Sequence, residues 1–341
     1  MVYCFQTGVV PINTIKEESL MNLCAIGTSF ITKTMLAEFQ RSTGLHCTAI
    51  YSRREETGKA MAEEFGIPRI FTDMDEMLAD PSIDMVYIAS PNSIHYTQAK
   101  AALLAGKHVI CEKPFTPTVA EADELIALAK EKHLLLFEAI TTSRHPNYAF
   151  VKENLPKLGK LKLVTATFCQ FSSRYPALLA GNAAPVLNHA FAGGALMDIN
   201  LYNIHFVAGL FGTPKSVHYF ANRHETGVDT SGVLVLEYED FLCQCIGAKD
   251  SAAHNGVQLI GEDGFLEITP IASNCQTAVL NIRGQESIFS HYPENGWYYE
   301  VQEISRIVAA GDYDFCYNSL ETTRKVVDIL EKARISAGFD F

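Results

Sequence analysis

The stretch Val109-Ile110-Cys111-Glu112-Lys113-Pro114 decides how the rest of the chain is read. Its three apolar residues are polar on neither face, as expected of a strand buried inside a parallel sheet. A carboxylate, an amine and a proline follow at once. Pro114 disfavours helical geometry at Lys113, so the lysine stays at the mouth of the strand. In open α/β sheets, ligands gather just beyond the carboxyl ends of the strands. A carboxylate and an amine held there are candidates for chemistry.

Outward from this stretch, Leu23-Cys24-Ala25-Ile26, Cys47–Tyr51, Met85–Ala89 and Leu134–Glu138 read as further strands. Helical patterns separate them. Ile31, Met35 and Phe39 recur at four-residue spacing. A helix over about 55–65 ends at Gly66 and Pro68, and another ends at Gly106. Thr118-Val119-Ala120-Glu121 resembles a capping box that opens a helix to about Lys132. This alternation predicts a parallel sheet with helices on both faces over residues 21–143.

After Ser143 the rhythm changes. Leu161–Phe171, Val233–Tyr238, Leu242–Ala248 and Val257–Ile260 read as strands joined by short turns. An α+β domain on an open, mostly antiparallel sheet is therefore predicted for residues 144–341. Helices are expected over about 195–211, 297–310 and 320–337. Residues 1–20 lack a basic start followed by an apolar core, and read as an extension ahead of the fold.

A chain of 341 residues with 48% hydrophobic content can fill two cores. Its net charge of -12 makes nucleic acid a poor partner. No apolar stretch approaches the roughly 18 residues of a membrane helix. Nine scattered cysteines suit a reducing cytoplasm better than a disulfide framework. The close pair Cys243-Gln244-Cys245 is expected to point its thiols to opposite faces of a strand. No paired Cys or His spacing predicts a metal site.

A dinucleotide-binding sheet requires a tight turn between its first strand and first helix. Here the turn is Gly27-Thr28-Ser29-Phe30-Ile31-Thr32, which keeps only the first of the usual glycines. The helix N-terminus behind it can still hold a pyrophosphate through backbone amides. The second strand ends in Ser52-Arg53-Arg54, where NAD-selective sites carry an acid. A hydroxyl and two guanidinium groups suit a 2′-phosphate, so NADP is expected over NAD.

An ordinary lysine is protonated at neutral pH. Burial or a neighbouring positive ring is expected to lower the pKa of Lys113. The second constellation is Gly193-Gly194-Ala195-Leu196-Met197-Asp198-Ile199-Asn200-Leu201-Tyr202-Asn203-Ile204-His205. Glycines open it and Gly212-Thr213-Pro214 closes it, which predicts one helix. Met197, Leu201, Ile204, Ala208 and Phe211 make its core stripe. Asp198, Tyr202 and His205 fall on a neighbouring stripe.

Gly27 with its turn, Glu112-Lys113-Pro114, and Gly193-Gly194-Ala195-Leu196-Met197-Asp198 with Tyr202 resemble the glucose–fructose oxidoreductase/inositol dehydrogenase (Gfo/Idh/MocA) family. The likeness runs from Met21 onward. Ser52-Arg53, the run from Gly106 to Pro114, Glu138-Ala139-Ile140 and the tyrosine at 202 are most similar to one branch, the dihydrodiol dehydrogenases and NADP-linked xylose dehydrogenases. The resemblance implies a Rossmann domain followed by an open-sheet domain, with open sheets packed together in dimers. It implies hydride transfer between a nicotinamide and a secondary alcohol or carbonyl of a sugar, polyol or cyclic diol. Lys113 and Tyr202 would serve acid/base chemistry and Asp198 would orient the substrate. Ser90, Pro91, Asn92 and His95 would lie near the cofactor, beside Glu112. Asn200, His205 and Arg144 are expected near the substrate. Asn200 stands where relatives usually carry glycine, and Arg144 lies one step beyond the usual arginine position, held here by Ser143. Two alternatives occur on the same scaffold: a non-catalytic dinucleotide-binding regulator and an NAD-assisted glycosidase.

Overall fold

The structure, a computed structural model, describes residues 20–339. The extension expected over 1–20 lies outside them, apart from Leu20. The first half alternates β1 (Met21–Ile26), α1 (Phe30–Phe39), β2 (Leu45–Tyr51), α2 (Glu55–Phe65), β3 (Arg69–Phe71), α3 (Met74–Ala79), β4 (Met85–Ile88), α4 (His95–Leu104), β5 (His108–Glu112), α5 (Val119–Glu131) and β6 (Leu136–Ala139). The six strands lie in the order β3-β2-β1-β4-β5-β6, all neighbours parallel. Strand order reverses between β1 and β4. That is the crevice where a doubly wound sheet receives a dinucleotide.

The second half holds α6 (Pro146–Asn154), β7 (Leu161–Cys169), α7 (Tyr175–Leu179), α8 (Leu201–Phe211), β8 (Ser216–Arg223), β9 (Asp229–Glu237), β10 (Leu242–Ala248), β11 (Gly256–Gly261), β12 (Gly264–Ile271), β13 (Asn274–Ile282), β14 (Gln285–Phe289), α9 (Gly296–Ala310) and α10 (Tyr313–Ser336). Its eight-stranded sheet runs β14-β13-β12-β11-β7-β10-β9-β8. All pairs are antiparallel except β7 with β10. Val164, Leu234, Cys245 and Leu259 on one face pack against Leu201, Ile204 and Leu330 from α8 and α10. The other face leaves Leu163, Phe220, Leu242 and Ile288 exposed.

Both faces of the six-stranded sheet are covered, and the chain's last helices help to do it. Val301, Ile304 and Ile307 of α9 pack with Met35, Phe39 and Tyr87. Leu320 and Val327 of α10 pack with Val109, Leu125 and Leu136. Residues far beyond 143 thus complete the first sheet's cores and fix the second half against it.

Two local expectations are corrected. Residues two apart on a strand share a face, so Cys243 and Cys245 both point inward, with Sγ atoms 3.8 Å apart. The helix expected over 195–211 begins as a π turn, Leu196–Asn200, before continuing as α8. Gly194 makes that start possible. Its φ is +126°, and a Cβ there would lie 1.9 Å from Asp229 Oδ1. Asp229 Oδ2 in turn accepts from the amide of Leu196 at 2.7 Å and from the Tyr219 hydroxyl at 2.7 Å.

Candidate active site

Three adjoining cavities of about 530, 610 and 600 Å³ follow the carboxyl edge of the six-stranded sheet into the second half. The first is bordered by Gly27, Thr28, Ser29, Ser52, Arg53 and Arg54. Gly27 has a φ of +111°, and a Cβ there would lie 2.6 Å from Ala89 O. The turn after β1 therefore passes against the end of β4, as a pyrophosphate cradle requires. Ser29 replaces a usual glycine, and its amide donates to Thr32 Oγ1 at 3.3 Å. Ser52 Oγ donates to Arg54 O at 2.9 Å and shares a hydrogen bond with Thr57 Oγ1 at 2.8 Å, which fixes the turn after β2. The guanidinium groups of Arg53 and Arg54 are exposed, without a partner among the described residues.

The second cavity is bordered by Ile31, Ser90, Pro91, Asn92, His95 and Glu112, and by Lys113, Asp198 and Tyr202. The ring nitrogens of His95 lie 2.9 Å from Pro114 O and 2.9 Å from Ser90 O, tying together the loops after β4 and β5. Asn92 Nδ2 donates to Ala192 O at 2.9 Å, a link to the second half. The Tyr87 hydroxyl donates to Glu112 Oε1 at 2.7 Å. Burial pushes the Glu112 carboxyl up to about 7, against the pull of that hydrogen bond and of Lys113. Phe30, expected near the cofactor, borders the third cavity instead.

Lys113, Asp198 and Tyr202 border both the second and the third cavity. Lys113 Nζ donates to Asp198 Oδ1 at 2.9 Å and to Asp198 O at 3.0 Å. It lies 4.8 Å from the centre of the Tyr202 ring. The second carboxylate oxygen of Asp198 is paired with Lys249, at the end of β10. The expected lowering of the Lys113 pKa is not found. Burial works against its charge, but attraction to Asp198 outweighs that and raises it. Burial likewise opposes the charge of Asp198, yet the two lysines hold its carboxyl well below the usual range. Burial pushes the Tyr202 phenol up to about 12, against the pull of Lys113.

The three expected substrate residues lie elsewhere. Asn200 is fully buried, donating to Cys245 O at 3.2 Å and accepting from Asn203 at 3.0 Å. His205 Nε2 lies 3.2 Å from Glu138 Oε1. Arg144 Nη1 pairs with Glu303 Oε1 at 2.6 Å. His205 and Arg144 border a separate cavity. The wide π turn explains the misplaced histidine: it upsets the α-helical phase that grouped His205 with Asp198.

Sequence reasoning missed Lys249, although its signal was present. It follows the apolar strand Leu242–Ala248 just as Lys113 follows β5. The rest of the third cavity's border includes aromatic and amide side chains, among them Phe168, Tyr292, Trp297, Gln170, Asn274 and Gln276. The cleft thus joins a glycine turn and two exposed guanidinium groups at one end to the Lys113, Asp198 and Tyr202 cluster at the other. Among the described residues no group of three or more His, Cys, Asp or Glu could hold a metal ion. No helix among them is long and apolar enough to cross a membrane.

Residues 21–140 match the family profile "Oxidoreductase family, NAD-binding Rossmann fold", and residues 156–267 match "GFO/IDH/MocA C-terminal domain". The chain is 33% identical to scyllo-inositol 2-dehydrogenase (NADP(+)) IolU of Bacillus subtilis, over 94% of this chain and 98% of that one. It is 29% identical to trans-1,2-dihydrobenzene-1,2-diol dehydrogenase of Danio rerio, over 85% of this chain and 88% of that one. The crystal structure of KijD10, a 3-ketoreductase from Actinomadura kijaniata in complex with NADP and TDP-benzene, shares the fold. Its TM-score is 0.83, at 22% identity, covering 93% of this chain and 98% of that one.

Proposed function

Because the chain belongs to the Gfo/Idh/MocA family of NAD(P)-dependent oxidoreductases acting on alcohol groups, we propose that it is an NADP-linked dehydrogenase of secondary alcohols on sugars, polyols or cyclic diols. One observation carries the reading. Lys113 from the end of β5 and Tyr202 from α8 meet at 4.8 Å, on the shared border of the second and third cavities.

A bound nicotinamide supplies the hydride donor or acceptor. Gly27, Thr28 and Ser29 would hold its pyrophosphate, and Ser52, Arg53 and Arg54 a 2′-phosphate. The chain's own side chains handle the proton. With its pKa near 12, the Tyr202 phenol is protonated at neutral pH and ready to donate to a carbonyl oxygen. In the oxidative direction the phenol first gives its proton to water, and the phenolate so formed, held by the Lys113 ammonium, takes the alcohol proton. The Lys113 ammonium, pinned by Asp198, stabilises negative charge on the phenol and substrate oxygens. Asp198, kept ionised, accepts from a neighbouring hydroxyl and fixes the substrate's register. Aromatic faces and amides around the third cavity suit the apolar face and the hydroxyls of a polyhydroxylated ring. The names of the inositol and dihydrodiol relatives support the same substrate class.

The joint presence of Lys113, Asp198 and Tyr202 favours catalysis over a regulatory role. The exposed apolar side chains of the open sheet favour a homodimer that buries that face. Sedimentation of wild type as a monomer at micromolar concentration would remove the dimer from the reading. The main test is fluorescence titration with NADPH and NADH, joined to turnover on aldoses, inositols and cyclic diols. NADPH is expected to bind at least tenfold more tightly, about 1.4 kcal/mol. Preference for NADH overturns the phosphate assignment. Sugar release without net change in nicotinamide absorbance identifies the glycosidase.

A further inference from the structure

We propose that the substrate carries an anionic group, a carboxylate or a phosphate, and that Lys249 is the residue that selects it. The inference rests on the dehydrogenase reading above and narrows its substrate class. The third cavity, about 600 Å³, is bordered by two ammonium groups, Lys113 and Lys249, and by one carboxylate, Asp198. Every other bordering side chain is neutral. Asp198 lies between the lysines, accepting from Lys113 at 2.9 Å through Oδ1 and paired with Lys249 through Oδ2. One carboxylate cannot neutralise two ammonium groups, so the walls carry an excess positive charge. The Lys113 and Lys249 side chains are only 15% and 10% exposed, so water compensates little of it.

Helix α9 adds the same sign. Asn295, Gly296 and Trp297, the N-cap and first residues of this 15-residue helix, border the cavity. The positive end of its dipole therefore opens into the same room as the two lysines. The whole chain carries a net charge of -12. A positive cavity in so acidic a protein is a local exception, and low-dielectric walls focus its field on an incoming anion.

The two lysines are not equivalent. Lys113 borders the second cavity as well as the third, whereas Lys249 borders the third alone. Proton handling at the nicotinamide calls for Lys113 and not for Lys249. The backbone of Lys249 is held on both sides: its amide donates to Thr230 O at 2.8 Å, and its carbonyl accepts from Ser172 N at 2.8 Å. Its ammonium has three donors, and Asp198 is its only side-chain partner among the described residues. Donor capacity is left for an oxyanion. A neutral polyol would satisfy the amides of the cavity and leave the excess charge uncompensated.

D-glucitol, D-gluconate and D-glucitol 6-phosphate share a six-carbon polyol chain and differ in charge. Each is titrated calorimetrically into the NADPH complex at low salt. At least one anion is expected to bind about tenfold or more tightly than glucitol. Which anion does so tells carboxylate from phosphate. Lys249→Met should erase most of that preference and Lys249→Arg should keep it. NADPH affinity, measured first on each variant, checks that the fold is intact. Equal affinities, preference for glucitol, binding of none of the three, or a preference that survives Lys249→Met overturns the inference. Failure of NADPH itself to bind wild type sinks the dehydrogenase reading instead. Turnover of neutral polyols without anion preference leaves that reading standing and removes this one.

Discussion

The two ends of the cleft keep positive charge in opposite ways. At one end Arg53 and Arg54 stand exposed after β2, without a hydrogen-bond or ion-pair partner among the described residues. At the other, the Lys113 and Lys249 side chains are mostly buried, with Asp198 between them. An exposed cation is stabilised by water and costs little while no ligand is present. A buried one must be paired, because the interior replaces hydration poorly. On the proposed function, changing the arginines therefore costs ligand affinity alone, whereas changing the lysine–aspartate cluster costs both chemistry and stability. The sharpest way to break this contrast is Asp198→Ala, which removes the carboxylate that both ammonium groups share. A stability loss of about 3–5 kcal/mol is expected, read from the urea midpoint at constant slope. A loss below about 1 kcal/mol would show that water already screens the cluster.

Lys113→Met removes one ammonium and leaves Asp198 paired with Lys249. The stability cost should be smaller than for Asp198→Ala, and the chemical cost large. A fall in kcat of about 10²–10⁴-fold is expected, with NADPH affinity held within a factor of about two. A variant that loses NADPH affinity and keeps kcat would move Lys113 from proton handling to cofactor anchoring.

Glu112 lies between the two ends, buried, with the Tyr87 hydroxyl as its hydrogen-bond partner. Its carboxyl is raised to about 7 from an ordinary value of 4.5. Between those two values the folded state binds more protons than the unfolded state, so stability falls as pH rises. The stabilisation is fully present below about pH 4.5 and is lost as pH rises through 7. Subtracting the curve of Glu112→Gln from that of wild type isolates this group. The difference should decline between pH 4.5 and 7 by on the order of 2–3 kcal/mol and then level off. A flat difference would mean that Glu112 stays ionised, paired more closely with Lys113 than the Tyr87 contact indicates.

The same contrast explains what was legible in the sequence. Strands of the six-stranded sheet are buried on both faces, so β1, β4 and β5 appear as unbroken apolar runs. Only the three-residue β3 and the short α3 after it escape detection. In the open sheet one face meets solvent. β13, Asn274–Ile282, and β14, Gln285–Phe289, hold only the short apolar stretches Ala278–Leu280 and Ile288-Phe289 among polar residues, too little to mark a strand. Gly27, Glu112-Lys113-Pro114 and the helix with Asp198 and Tyr202 could be found because turn and strand-end chemistry is local. The partners of a buried charge are not local. Nothing near Arg144 announces Glu303, and nothing near His205 announces Glu138. The π turn at Leu196–Asn200 shifts the helix phase without a marker in composition. Lys249 was readable in principle, as a lysine closing an apolar strand, but no proline or familiar motif stood beside it.

The smallest expected effect tests the exposed end. Arg53→Ala removes a guanidinium that makes no hydrogen bond or ion pair with another described residue, so the melting temperature should stay within about a degree. NADPH affinity should fall about tenfold, near 1.4 kcal/mol, while NADH affinity stays unchanged. Since the contact would be exposed and ionic, the wild-type preference for NADPH should shrink as salt rises from 20 to 500 mM, the Debye length falling below about 5 Å. The variant's remaining preference should be much less sensitive to salt. If Arg53→Ala weakens NADPH and NADH equally, the arginine reads a phosphate that both cofactors share, and the distinction at the end of β2 loses its basis. If it destabilises the fold instead, the exposed charge is structural after all, and the contrast with the buried lysines fails at its simpler end.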